Sequence, residues 1–213
     1  MNWVDGVLLI LLLASVIVGS KKGLIRELMA FLVFFVAIIV SVNYIDLFAV
    51  WVHSKMGGSI LVSAFVSFVA LLGISYAVFK LLGILFYKVA NIKQIGTRDQ
   101  MGGALIGFVR GWVAVGFLTL LTFLIPLPEG FYTAFENSFF GPSIAKTIPL
   151  IYDGTAKIHP KNPDLIGQIE KSLMVENSGG TGEVDEDRRN VHKVLFQMEK
   201  FFNSGMTTSD ETP

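Results

Sequence analysis

With 53% hydrophobic and only 16% charged residues, this 213-residue chain is too apolar for an ordinary soluble domain and points to a membrane protein. Its formal net charge of zero is a cancellation: residues 1–125 carry nine Lys/Arg against four Asp/Glu, and residues 126–213 carry eight against thirteen. The absence of cysteine excludes disulfides, cysteine nucleophiles and thiolate metal sites. The basic residues lie between apolar runs rather than on a solvated patch, which is not the pattern of a nucleic-acid binder.

The first apolar run, Val4 to Gly19, has Asp5 near its start and Ser20-Lys21-Lys22-Gly23 after it. A cleaved secretory signal has the opposite order, with positive charge first and small residues last, so the run reads as a retained membrane helix. Lys21, Lys22 and Arg26 then form a compact basic turn, read as a topology signal that also meets lipid head groups. The second run is Leu28 to Ile45, and Asp46 to Gly58 reads as a connection with Tyr44 and Trp51 as interfacial aromatics. The third run extends from Ser59 to about Phe79. It continues through Lys80 to Lys88 as a helix leaving the bilayer or lying on its surface, its lysine stems snorkelling. The fourth run, Met101 to Ile125, is stopped by Pro126 and Pro128.

Solid apolar runs call for helices, since a barrel would need alternating ones. The fold class expected is therefore all-α, with four transmembrane helices over about 4–20, 28–45, 59–79 and 101–125 forming a domain of residues 1–125. The first connection carries Lys21, Lys22 and Arg26, and the third carries Lys80, Lys88, Lys93 and Arg98, whereas the second offers only Lys55. The positive-inside rule puts the first and third connections in the cytoplasm and both termini on the far side.

Residues 126–175 read as short amphipathic surface helices. Phe131, Phe135 and Phe139 recur every four residues, as do Ile144 and Ile148, with breaks at Gly141-Pro142 and Pro149. Asp164 is placed to cap a helix with apolar positions Leu165, Ile169 and Leu173. Residues 176–213 read as a flexible acidic linker, an amphipathic helix over 190–202 and a disordered end. The stripe Val191, Val194, Leu195, Met198, Phe201 and Phe202 is read as a face for the membrane surface or a protein partner, above all through Val191, Leu195, Met198 and Phe202. Packing back onto the chain's own surface helices is the third option.

The element that organises the chain is Asp99 to Gly111. On a helix, Asp99, Gly103, Gly107, Arg110 and Gly111 share one face. Glycines four apart let a second backbone come close, within one bundle or between subunits. Arg110 stands about nine residues, roughly 13 Å, into the fourth run. A midplane arginine costs at least ~2.5–3.5 kcal/mol on insertion scales, so it needs a partner. The candidates are Asp5, Glu27, a carbonyl at a broken helix, or Asp99 of a second subunit. Asp99 of the same helix is roughly 16 Å away and out of reach. A structural ion pair is the favoured reading, and an anion or proton pathway is the other.

Two stretches resemble the colicin V production protein family. One is Asn2-Trp3-Val4-Asp5 continuing through Gly19 and Lys22-Gly23-Leu24-Ile25-Arg26-Glu27-Leu28. The other has Asp99, Gly103, Gly107, Arg110 and Gly111 at the family's spacing. The likeness covers roughly residues 1–155 and leaves out the acidic tail. It departs at Gln100, where the family often has a basic residue; here the base is Arg98. The resemblance implies a small multi-pass protein of the bacterial inner membrane, of a family named for a requirement in making a secreted toxin and linked with envelope integrity.

Enzyme chemistry is not expected. GxxxxGK, GxSxG and HExxH are absent, and Gly179-Gly180-Thr181-Gly182 lacks the lysine that would follow a phosphate loop. His53, His159 and His192 lack metal-ligand spacing, so neither metal nor cofactor is expected. The partners expected are the lipid bilayer, further copies of the chain in a homo-oligomer, and proteins met through the tail. The function expected is that of an accessory or scaffold protein for toxin export or envelope homeostasis. The alternative is a small transporter or channel subunit with a pathway at Arg110 and the glycine stripe.

Overall fold

The computed structural model describes residues 2–56, 59–90, 96–155, 157, 164–174 and 184–202. Among these residues the structure is helical throughout: α1 (Trp3–Lys22), α2 (Leu24–Asn43), α3 (Ile45–Met56), α4 (Ile60–Ala90), α5 (Thr97–Phe123), α6 (Glu129–Glu136), α7 (Gly141–Ala145), α8 (Thr147–Gly154), α9 (Leu165–Met174) and α10 (Val184–Phe202). Four stretches are long and apolar enough to cross a membrane: Trp3–Lys22, Leu24–Asn43, Leu61–Leu81 and Thr97–Phe123. The all-α class with four spans followed by further helices is thus the architecture of the chain.

Local chemistry sets the first hairpin. The Asn2 side chain accepts N–H bonds from Val4 at 2.9 Å and Asp5 at 3.3 Å, and Asp5 Oδ2 accepts the Asn2 N–H at 2.9 Å. This reciprocal box satisfies donors that a helix start leaves unpaired. Lys21 and Lys22 lie in the last turn, where the helix dipole favours positive charge. Gly23, at φ 80°, ends α1 and starts α2 in one residue, a conformation that a side chain would strain. The basic turn read from the sequence is therefore this single glycine, flanked by helix on both sides.

The spans alternate in direction between an Asn2 end and a Gly23 end. α5 is central: α1 lies along one face, α2 along a second, and α7, α8 and α10 touch a third, while α4 packs on α2 and α3. Phe117 of α5 links the layers, its ring 5.3 Å from that of Phe68 on α4 and 6.5 Å from that of Phe34 on α2.

Three segments differ from the sequence reading. The connection expected over Asp46–Gly58 is mostly helix. Ile45, Ala49 and Val52 form a buried stripe on α3, but Asp46, His53 and Lys55 dilute its hydropathy. His53 Nδ1 meets Ser63 Oγ at 3.3 Å, which ties α3 antiparallel to the start of α4. Second, α7 and α8 are more than surface helices. Trp112 Nε1 donates to Thr147 Oγ1 at 2.8 Å, and a Cβ on Gly116 would lie 3.0 Å from the Ile144 carbonyl oxygen. Gly116 is about 10 Å along α5 from Phe123, so this pair packs against the flank of a spanning helix.

Third, the α10 stripe is core. Val191, Val194, Met198, Phe201 and Phe202 are buried and Leu195 is half-buried. Phe201 and Phe202 stand 5.3 and 5.1 Å from Phe123, which also meets Phe135 at 5.1 Å and Tyr132 at 5.4 Å. Val191, Met198 and Phe202 therefore belong to the chain's own core and Leu195 packs against it, instead of forming a free face for a membrane surface or a partner, with Phe202 packed edge-on at the end of α5. Outside the spans, burial pushes the Tyr152 phenol well above its ordinary range. α10 begins at Val184, within the stretch read as linker. The remainder of that linker, the end of the chain, and Lys93 lie outside the described residues.

Candidate functional site

The glycine face of α5 is filled by α1. A Cβ on Gly107 would lie 2.8 Å from the Ser15 carbonyl oxygen and 2.9 Å from Gly19 Cα. One on Gly103 would meet the Gly19 carbonyl oxygen and stand 2.9 Å from Gly23 Cα, and one on Gly111 would stand 2.5 Å from Ser15 Cβ. Ser15 Oγ donates to the Gly107 carbonyl at 2.7 Å. The partner surface on α1 is thus Ser15, Gly19 and Gly23, small residues four apart. Sequence reasoning singled out only the α5 half, although the matching spacing on α1 was present to be read. Close backbone approach of this kind is how helices associate where lipid removes the hydrophobic drive.

Asp99 secures the same pair at its Gly23 end. Its Oδ1 accepts the Leu24 N–H at 2.9 Å, a donor in the first turn of α2. Asp99→Ala will lower stability by about 0.5–2 kcal/mol, the usual worth of a helix cap, and Asp99→Asn will restore most of it. Chemical denaturation of the purified protein in detergent reads both variants.

Arg110 meets Glu27. Its Nε lies 2.5 Å from Glu27 Oε1, and Lys22 Nζ lies 3.7 Å from Oε2 of the same carboxylate. Glu27 is fully enclosed, whereas the Arg110 side chain is 18% exposed. Among the described residues no hydrogen bond reaches either Glu27 oxygen, so charge pairing holds the carboxylate. Helical side chains lean toward their own N-terminus, which tilts Arg110 toward the Gly23 end, where Glu27 sits in the first turn of α2. Asp99 and Arg110 lie on one helix, but Asp99 serves Leu24 and not the arginine.

Asp5, the other acidic candidate, is at the opposite end. Its Oδ1 accepts N–H bonds from Phe139 at 2.8 Å and Phe140 at 3.2 Å. It lies ten residues, about 15 Å, along α1 from Ser15, which faces Gly107 and Gly111. Its role is to join α1 to the α6–α7 connection. Lys21 and Arg26 are exposed beside Lys22.

Among the described residues, no group of three or more His, Asp or Glu is arranged to hold a metal ion. The chain matches the family model described as Colicin V production protein over residues 4–149. No curated protein and no solved structure matches it.

Proposed function

We propose, since this chain belongs to the colicin V production protein family, that it is a non-enzymatic accessory or scaffold protein of the bacterial inner membrane. In this reading it supports toxin export or envelope homeostasis and works as a homo-oligomer. The observation that carries the reading is the closed α1–α5 seam. Backbone meets backbone from Ser15 to Gly23, so the glycine stripe leaves no lumen for a solute. Glu27, the one acid paired with Arg110 among the described residues, is enclosed. A packed seam with a buried ion pair organises helices; a transport route needs water or space beside its charges. The basic Lys21, Lys22 and Arg26 favour the Gly23 end in the cytoplasm, with the termini and α6–α10 on the far side.

The test is a double replacement, Glu27→Met with Arg110→Met, assayed for colicin V production by a cell that depends on this protein. A scaffold keeps more than half its activity when both charges leave together. Loss of production by a double variant that still accumulates at the normal level would overturn the scaffold reading in favour of a pathway.

A further inference from the structure

We propose that Arg110 and Lys22 form a binding site for a phosphate-bearing anion at the Gly23 end of the bundle, with Glu27 as its internal competitor. Arg110 has five N–H donors in a planar fork. Its Nε faces Glu27, yet among the described residues no hydrogen bond takes up Nη1 or Nη2. A guanidinium held by one carboxylate, on a side chain that keeps 18% of its surface open and leaves Nη1 and Nη2 without a hydrogen bond among the described residues, can receive two oxygens of a second anion.

Position and charge identify that anion. Glu27 stands three residues into α2, about 4.5 Å from the helix start, so the guanidinium that meets it lies within a turn of the bundle's end. That is the depth at which lipid phosphates meet acyl chains, and a snorkelling arginine reaches it at little cost. Lys22 Nζ approaches the same carboxylate from the exposed side. Lys21, Arg26 and Arg98 are exposed at the same end. Counted with Lys22 and Arg110 against Glu27 and Asp99, these described residues alone give an excess of three positive charges around the Gly23 turn. A phosphate monoanion fits a fork and a point charge together; the phosphate belongs either to an anionic lipid head group or to a free phosphate ion.

The competitor makes the proposal sharp. Glu27 offsets the charge of the guanidinium, so neutralising it strengthens anion binding. The experiment titrates the full-length protein in neutral detergent with dihexanoyl phosphatidylglycerol, dihexanoyl phosphatidylcholine and inorganic phosphate, and reads the unfolding midpoint and the change in tryptophan fluorescence. Phosphatidylglycerol is expected to raise the midpoint of the wild type, and Glu27→Gln to tighten that binding by about tenfold, the size of one charge-assisted hydrogen bond. Glu27→Gln with Arg110→Gln removes the effect while leaving no buried charge unpaired. A response to phosphatidylglycerol but not to inorganic phosphate identifies the lipid as the ligand, and equal responses identify free phosphate. Equal phosphatidylglycerol binding by wild type and double variant, or no binding by any form, overturns the site. Because binding is read on purified protein, its failure leaves the scaffold assay untouched, and the reverse holds too.

Discussion

Arg110→Met alone will lower the unfolding free energy by about 3–5 kcal/mol, the cost of breaking a buried ion pair from one side. The substitution leaves Glu27 enclosed with Lys22 at 3.7 Å as its remaining cation, and that lysine is itself 43% exposed. An uncompensated carboxylate in an apolar surround costs several kilocalories, far more than the lost attraction between two well-solvated groups. Glu27→Met added to Arg110→Met will recover nearly all of it, to within about 1 kcal/mol of the wild type, because two apolar side chains then replace a desolvated pair. A thermodynamic cycle in detergent, with Glu27→Met as the fourth corner, measures the coupling. If the double variant is as unstable as Arg110→Met, the arginine contributes packing and not charge.

Gly107→Val will be at least as damaging as overpacking usually is, about 1–3 kcal/mol, and will show as lost folded protein rather than as a shifted midpoint. The first added carbon meets backbone on two sides, the Ser15 carbonyl oxygen at 2.8 Å and Gly19 Cα at 2.9 Å. Neither neighbour is a side chain that can rotate away, so α1 must separate from α5. Separation also breaks the bond from Ser15 Oγ to the Gly107 carbonyl. Gly73 is the control: a Cβ there has nothing within 4 Å, so Gly73→Val leaves accumulation unchanged. Size-exclusion yield after extraction compares the two. Equal yields would mean the helix pair is more loosely packed than these distances require.

The four spans were legible because each is a solid apolar run, and the α5 stripe because Gly103, Gly107 and Gly111 repeat at the helical period. Glu27 was among the candidates for Arg110 since few acids are available in the first half of the chain. What could not be read was which of them the fold would bring close. The pairing of residue 27 with residue 110 is set by the docking of the α1–α2 turn on α5, through Asp99 with Leu24 and Gly103 with Gly23, and these contacts are long-range. α3 was missed for a local reason: at twelve residues it is too short to cross a bilayer, and Asp46, His53 and Lys55 interrupt its apolar run. The α10 stripe was seen, but its direction was not. A period of 3.6 says that one face is buried, not what buries it. The aromatic partner, Phe123, is the last residue of a spanning helix, where a hydropathy reading counts it as membrane.

The order in which these parts leave the ribosome follows from the seam. Glu27 is made 83 residues before Arg110, an interval of about 4–17 s at ordinary elongation rates. From Asn43 onward the nascent α1–α2 hairpin has its final length but lacks the helix that fills its glycine face and the arginine that pairs with its acid. The hairpin is thus a waiting half, and completion of α5 closes the seam. A chain terminated before Thr97 would be left holding that half as its end product.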